Sequence, residues 1–347
     1  MATPRYALID ATLTPYYHVM SRTVRKAWLC GIDPDTGIDH SHRRSWISSR
    51  LSKLCKSFTI ELASYAIMSN HYHLVLYVNT QKNFKLDMNQ ILRRWTAIFN
   101  GSELCQRYLS GEALSQAELS FLQQDAEIYR QRLKDISWFM RSLNEPIARM
   151  ANQEDNCSGR FWQGRFKSQA LLDQTAILTC MAYVDLNPIR AGIAKTPQSS
   201  EFTSIQNRIN RINRINRINR IENKAIATKK AIPKLKAFHR LGACNQSSIP
   251  FTLKDYLQLV DTTARAINSD NKAKMNSKLA TILHIVSNKT IQPEQWLHTI
   301  SNRNYGLNSF GSAIGTFEKL KDFASHFNKK WCKGFSSSRW WQQQRDS

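Results

Sequence analysis

The sequence predicts an α+β fold: a mostly antiparallel sheet near the N-terminus, helices packed on it, and a helical C-terminal extension. Three observations lead there. Strand-like segments fall within residues 16–78, separated by one helix and one tight turn. Apolar residues then recur at three- and four-residue steps through residues 84–150. Helical spacing returns after residue 240. Of the 347 residues 42% are hydrophobic, so a substantial core is available.

The first strand candidate is YYHVM (16–20), continued by the basic SRTVRK (21–26). A polar loop follows, GIDPDTGIDHSHRR, whose Gly, Pro and Asp content opposes regular structure. Residues 44–57 space Trp46, Ile47, Leu51 and Leu54 as a helix does. Phe58–Ile67 reads as a second strand, and Met68-Ser-Asn70 turns it into a third. There Tyr72, Leu74, Leu76 and Val78 alternate with His71, His73, Val75 and Tyr77. LDMNQILRRWTAIFN and QAELSFLQQDAEIYRQRLKDISWFMRSLNEPIARM then carry helical periodicity. A loop from Asn152 to Gly159 leads into GRFWQGRFKS (159–168). A helix over Thr175–Asn187 stops against Pro188, because the residue before proline is pushed out of the α region.

Residues 207–221 are five tandem Asn-Arg-Ile triplets. A period of three does not match 3.6, so on a helix each residue type drifts around the surface. Between 207 and 240, eleven Lys and Arg face Glu222 alone. The segment 206–240 is therefore read as a basic repeat helix or linker between a domain at 1–205 and a helical extension at 241–347. A solvated spacer and a phosphate-touching arm both fit it. The extension shows an apolar stripe in Tyr256, Leu257, Leu259, Val260 and Ile267, and DNA binding is a further expectation for it.

Lys and Arg outnumber Asp and Glu 49 to 26, giving +23 and a pI near 9.9. A polyanionic partner follows, most simply nucleic acid. Seven scattered cysteines without a CxxC pair argue for reduced thiols rather than a disulfide framework or zinc knuckle. The N-terminus lacks a secretory pattern, and no apolar run approaches the roughly 20 residues a membrane span requires. A cytoplasmic, nucleoid-associated protein with no membrane partner is expected.

Three clusters could carry chemistry. His71 and His73 share one face of their strand, roughly 6 to 7 Å apart along the chain. That spacing lets two neutral imidazoles converge on a metal or a phosphate, but alone it also fits ordinary polar residues at a strand start. GRFWQGRFKS interleaves Arg160, Arg165 and Lys167 with Phe161, Trp162 and Phe166. Guanidinium groups bind phosphate and aromatic faces stack on unpaired bases, which suits single-stranded or distorted nucleic acid. A basic loop pinned to a core by its aromatics has the same composition. Third, Tyr183 and Asn187 are i and i+4 on one helix face in YVDLNPIRAG (183–192). A phenol is a weak nucleophile unless a cation favours its ionised form or polarises the target.

The ordered set YYHVMSR (16–22), MSNHYHLVL (68–76), GRFWQGRFKS and YVDLNPIRAG resembles the single-tyrosine HUH transposases, specifically the REP-associated tyrosine transposase (RAYT) branch of bacterial chromosomes. The resemblance covers roughly residues 10 to 205 and continues weakly into DYLQLVDTTARAI (255–267). It implies an HUH-endonuclease, ferredoxin-like core with the histidine strand in the middle of the sheet and the tyrosine helix lying over it. It also implies a divalent ion, Mg2+ or Mn2+, held by His71, His73 and Asn187, and attack by Tyr183 on single-stranded DNA to leave a 5′-phosphotyrosine. Reversal by a 3′-OH rejoins strands. The family often has Gln where Asn187 stands, and the shorter amide must approach closer. It often has His at position 18, where a structural or substrate-contacting role is expected for His18 instead of ligation. Arg22, Arg160, Trp162, Gln163, Arg165, Lys167 and Arg190 are the expected DNA contacts. The implied partner is hairpin DNA of the repetitive extragenic palindrome type, bound by a monomer or homodimer. A non-catalytic, domesticated hairpin-binding regulator is the alternative.

Overall fold

Short alternating strands need partners, and the tight turn at Met68-Ser-Asn70 supplies the first pair, closed by the Met68 amide donating to the His71 carbonyl at 2.8 Å. The computed structural model describes residues 8–24, 27–218, 232–239, 248–268, 272–287, 291–301 and 310–342. Among the described residues there are five strands: β1 (Tyr16–Arg22), β2 (Ile60–Ile67), β3 (His71–Val78), β4 (Lys167–Leu171) and β5 (Ala313–Ile314). Their order is β2-β3-β1-β4-β5, antiparallel throughout except between β4 and β5. The histidine strand β3 is an interior strand, and β1 takes the middle position. Lys167 and Ser168, expected to end a loop, instead begin β4. Its pairing comes from β1 and β5, which no local pattern announces.

The helices are α1 (Arg43–Ser57), α2 (Thr80–Phe84), α3 (Met88–Thr96), α4 (Glu103–Leu109), α5 (Gln116–Leu133), α6 (Ile136–Glu154), α7 (Gln174–Asp185), α8 (Asn187–Arg190) and α9 (Ser204–Ile218). The extension adds α10 (Leu253–Asn268), α11 (Lys272–Ser287), α12 (Pro293–Ser301), α13 (Phe317–His326) and α14 (Phe335–Gln342). The mixed α and β composition and the mostly antiparallel sheet agree with the expected α+β class. No helix among the described residues is long and apolar enough to cross a membrane.

Helix α6 packs on one face of the sheet, with α1 against it. Pro146 inside α6 has no N–H, which frees the Ser142 carbonyl, and Arg50 Nε of α1 donates to it at 2.8 Å. Asn144 clamps three segments. It accepts the Tyr72 hydroxyl proton at Oδ1, donates from Nδ2 to Ser21 Oγ at 2.9 Å, and its carbonyl accepts Trp162 Nε1 at 2.9 Å.

Helix α7 covers the opposite face. It ends at Asp185, two residues short of the expected Asn187. The amide missing at Pro188 interrupts the ladder, and the chain restarts as α8 with Pro188 in its first turn, where a missing N–H is tolerated. Asn187 thus opens a second short helix instead of closing the first.

A bulge between Leu62 and Ser64 shifts the register of edge strand β2. Arg208 Nη2 donates to the Ala63 carbonyl at 2.9 Å, and the Lys236 amide donates to the Leu62 carbonyl at 2.8 Å. Lys236 Nζ also pairs with Glu61 at 2.9 Å. The repeat helix and the segment around 236 therefore seal an edge that would otherwise present unpaired backbone. Arg208, the first repeat arginine, is buried, whereas Arg211 and Arg214 are exposed. The fifth triplet (219–221) lies outside the described residues.

Asp185 is fully buried and joins three helices. It accepts from Ser204 Oγ, from the Ile205 amide at 3.0 Å and from the Tyr256 hydroxyl at 2.5 Å. Burial pushes its carboxyl up, and the facing Arg208 charge opposes that shift. Tyr256 belongs to the extension, as does β5.

Replacing Asp185 by Ala leaves Arg208 buried without an opposite charge. Chemical denaturation is expected to show a loss of about 3–5 kcal/mol. Arg211→Ala, on an exposed position of the same helix, is expected to stay within about 0.5 kcal/mol of wild type.

Candidate active site

The β1–β3 register places Met20 opposite His73 and Arg22 opposite His71, while β4 sets Gln169 opposite His18 and Lys167 opposite Met20. Residues opposite one another in an antiparallel pair point to the same face. One face of the sheet therefore carries His71, His73, His18, Gln169, Arg22 and Lys167.

The imidazoles are in contact. The His71 and His73 ring centroids lie 4.9 Å apart at 87°. His18 Nε2 is 2.9 Å from His73 Nδ1, and His18 Nδ1 is 2.9 Å from Gln169 Oε1. His71 Nδ1 donates to Asn70 Oδ1 at 2.7 Å. Both ring nitrogens of His18 are thus committed to protein partners. The residue stands behind His73. Its role is set by β-pairing across 55 residues.

Tyr183 lies over this face. Its ring centroid is 5.8 Å from that of His73 and 6.5 Å from that of His18, both edge-on. The Arg190 guanidinium sits over the Tyr183 ring at 4.3 Å, and its Nε is buried without a hydrogen-bond partner. Asn187 is also buried, one turn beyond Tyr183. Among the described residues no hydrogen bond or ring contact joins it to either histidine.

Burial holds all three histidines below the ordinary range. His18 and His71 are each lowered to about 4, the latter helped by the neighbouring Arg22 charge. His73 is pushed well below 6.5 by burial and then by its histidine neighbours, Arg190 and Arg22. The rings are therefore neutral at pH 7, the form that can donate a lone pair to a metal.

The loop 159–166 runs along the end of β1. Thr23 bridges Trp162, and the Gln163 amide donates to the Arg22 carbonyl at 2.8 Å. Arg22, Arg160, Gln163, Arg165 and Lys167 are all exposed. Trp162 is half-buried, edge-on to Tyr72 at 5.6 Å and bonded to Asn144. Phe161 and Phe166 are buried. The aromatics pin the loop and the basic side chains face outward.

Sequence reasoning missed Gln169, Asn70 as a histidine partner, Asn144 and Asp185. Asn70 and Asp185 stand inside quoted motifs, so their proximity was a signal. Gln169 and Asn144 carry none, because their roles exist only across elements. A second group, His40, Glu154 and Asp155, also brings metal-type donors together. Both carboxylates are already engaged by buried Arg43, which bonds each of them.

The arrangement is a neutral three-histidine face, covered by a helix-borne tyrosine with an arginine against it and rimmed by exposed cations. No protein-family model matches the chain, and no curated protein matches it. Among solved structures, the chain is similar to that of a REP-associated tyrosine transposase bound to a REP hairpin, at 11% identity and a TM-score of 0.34, over 68% of this chain and 99% of the other.

His18 and His71 take up protons near pH 4 when folded and near 6.5 when unfolded. Between those values the unfolded chain binds more protons, so stability falls as pH drops from 6.5 toward 4. Thermal unfolding is expected at a lower temperature at pH 5 than at pH 7.5, with the difference reduced in His71→Gln.

Proposed function

We propose that the protein cleaves and rejoins single-stranded hairpin DNA through Tyr183. The observation that carries this reading is the tyrosine helix lying across the face that His71 and His73 share. The motif order and the basic surface support it.

The histidines fit a divalent ion. Asn70 takes the Nδ1 proton of His71, and Nδ1 of His73 is engaged by His18, so each ring can offer only Nε2 outward. Neutral imidazoles can ligate a divalent ion, and Mn2+ or Mg2+, which prefer oxygen donors, would take the rest of their shell from the Asn187 amide, water and substrate oxygens. His71, His73 and Asn187 would hold it. When bound, it supplies charge stabilisation to the scissile phosphate.

The chain's own residues do the rest. Tyr183 Oη attacks phosphorus, the P–O bond to the 3′ oxygen breaks, and the DNA 5′ end is left as a phosphotyrosine ester beside a free 3′-OH. Arg190, with an unpaired N–H beside the tyrosine, neutralises charge that grows on the phosphate oxygens. Arg22, Arg160, Arg165 and Lys167 hold flanking phosphates and orient the strand, and the exposed Gln163 contributes a polar contact beside them. Attack by a 3′-OH on the ester reverses the step and rejoins strands without a nucleotide cofactor. The protein works as a monomer or a homodimer.

Labelled hairpin DNA with a single-stranded flank, incubated with Mn2+ or Mg2+, is expected to yield a covalent adduct on a denaturing gel. Tyr183→Phe is expected to abolish the adduct while retaining DNA binding. Binding without any adduct in the wild type would favour the regulator instead. In salt titrations, Arg160→Ala is expected to reduce the slope of log affinity against log salt by about one.

A further inference from the structure

We propose that Gln169 and His18 form a positioning relay, anchored by the C-terminal extension, that sets the tautomer of His73 and so leaves its outward Nε2 as a lone pair toward the reacting centre. This deepens the metal-site reading above and rests on it for its catalytic meaning.

The relay begins outside the catalytic motifs. Gln169 Nε2 donates to the Gly311 carbonyl at 3.0 Å, with the Phe310 carbonyl at 3.4 Å. Only the amide nitrogen can donate to carbonyls, so the Gln169 side chain is oriented with Oε1 toward His18. An oxygen there must accept, so His18 carries its proton on Nδ1. Its Nε2 is then a lone pair, and the bond at 2.9 Å requires the proton to sit on His73 Nδ1. Neutral His73 has one ring proton, which leaves Nε2 as a bare lone pair.

Each member is held in place. His18 is buried, lies opposite Gln169 in the β1–β4 register and stacks on His73 at 15°. Gly311 is fixed by its amide donating to the Lys333 carbonyl at 3.0 Å, and by β5, where the Ala170 amide donates to the Ser312 carbonyl at 2.8 Å. A Cβ at Gly311 would meet Lys333 Cβ at 3.0 Å, so the backbone passes too closely there for a larger residue. Partners beyond a ligating imidazole fix its ring and raise its basicity, and their loss typically weakens metal binding about 10- to 100-fold. The short parallel pairing of β4 with β5 thereby acquires a purpose: it connects the extension to the ring nitrogens of the site.

The test uses full-length protein labelled with 15N-histidine, free of metal, at pH 7.5. Long-range 1H–15N spectra, assigned by difference with His73→Gln, are expected to show His73 protonated at Nδ1 and unprotonated at Nε2. Gln169→Leu removes the acceptor and is expected to give a mixture of His73 tautomers. It should also weaken Mn2+ binding, read by the free-ion spin-resonance signal, about 10- to 100-fold. Gln169→Glu restores an acceptor and is expected to recover the wild-type tautomer. A wild-type His73 protonated at Nε2, or a Gln169→Leu protein with unchanged tautomer, would overturn the relay. The spectra need no metal, so they decide even if Mn2+ binds too weakly to measure. A missing DNA adduct alongside the wild-type tautomer pattern would remove the strand-transfer reading and leave the relay standing.

Discussion

The register between β1 and β3 is the constraint on which the site depends. Met20 opposite His73 places His18 one step along the same face, close enough for its Nε2 to meet His73 Nδ1. A slip of one residue would send His71, His73 or His18 to the opposite face, where α6 packs. The Asn144 clamp on Tyr72 and Ser21, which face each other across the two strands, holds that register. The chemistry on one face is thus secured by hydrogen bonds on the other.

A second constraint sets the height of the tyrosine. Asp185, two residues beyond Tyr183, points away from the site and binds α9 and α10 through Ser204, Ile205 and Tyr256. A buried carboxylate is costly unless its hydrogen-bonding capacity is met. Here it is met by residues of the repeat helix and the extension. These contacts therefore fix the tyrosine helix from the side away from the reacting face. The first Asn-Arg-Ile triplet belongs to the same system, because Arg208 faces Asp185 and also caps the bulge at Ala63. Among the described repeat residues, Arg208 is structural where it meets the sheet, and Arg211 and Arg214 beyond it are exposed.

The extension enters the site by a further route, through Gly311 and Gln169. An ancillary helical segment would leave the sheet complete at four strands. Instead β5 adds to β4, next to the residue that touches His18.

Much was legible from residues alone. Alternation identified β1, β2 and β3, and helical spacing identified α1 and α7, since both follow from local geometry. His71 and His73 had to share a face because a strand repeats every two residues, and Tyr183 and Asn187 had to be one turn apart. What the sequence could not determine was everything that crosses between elements. β4 and β5 are too short to carry a pattern. Gln169 and Asn144 are ordinary residues until partners arrive from 151 and 72 positions away. Trp162 is edge-on to Tyr72 and bonded to Asn144 for the same reason, because composition does not tell which side of a ring the core will claim. Residue type and local period decided which groups the chain possesses. Register and helix placement, set by long-range hydrogen bonds and burial, decided which of them meet.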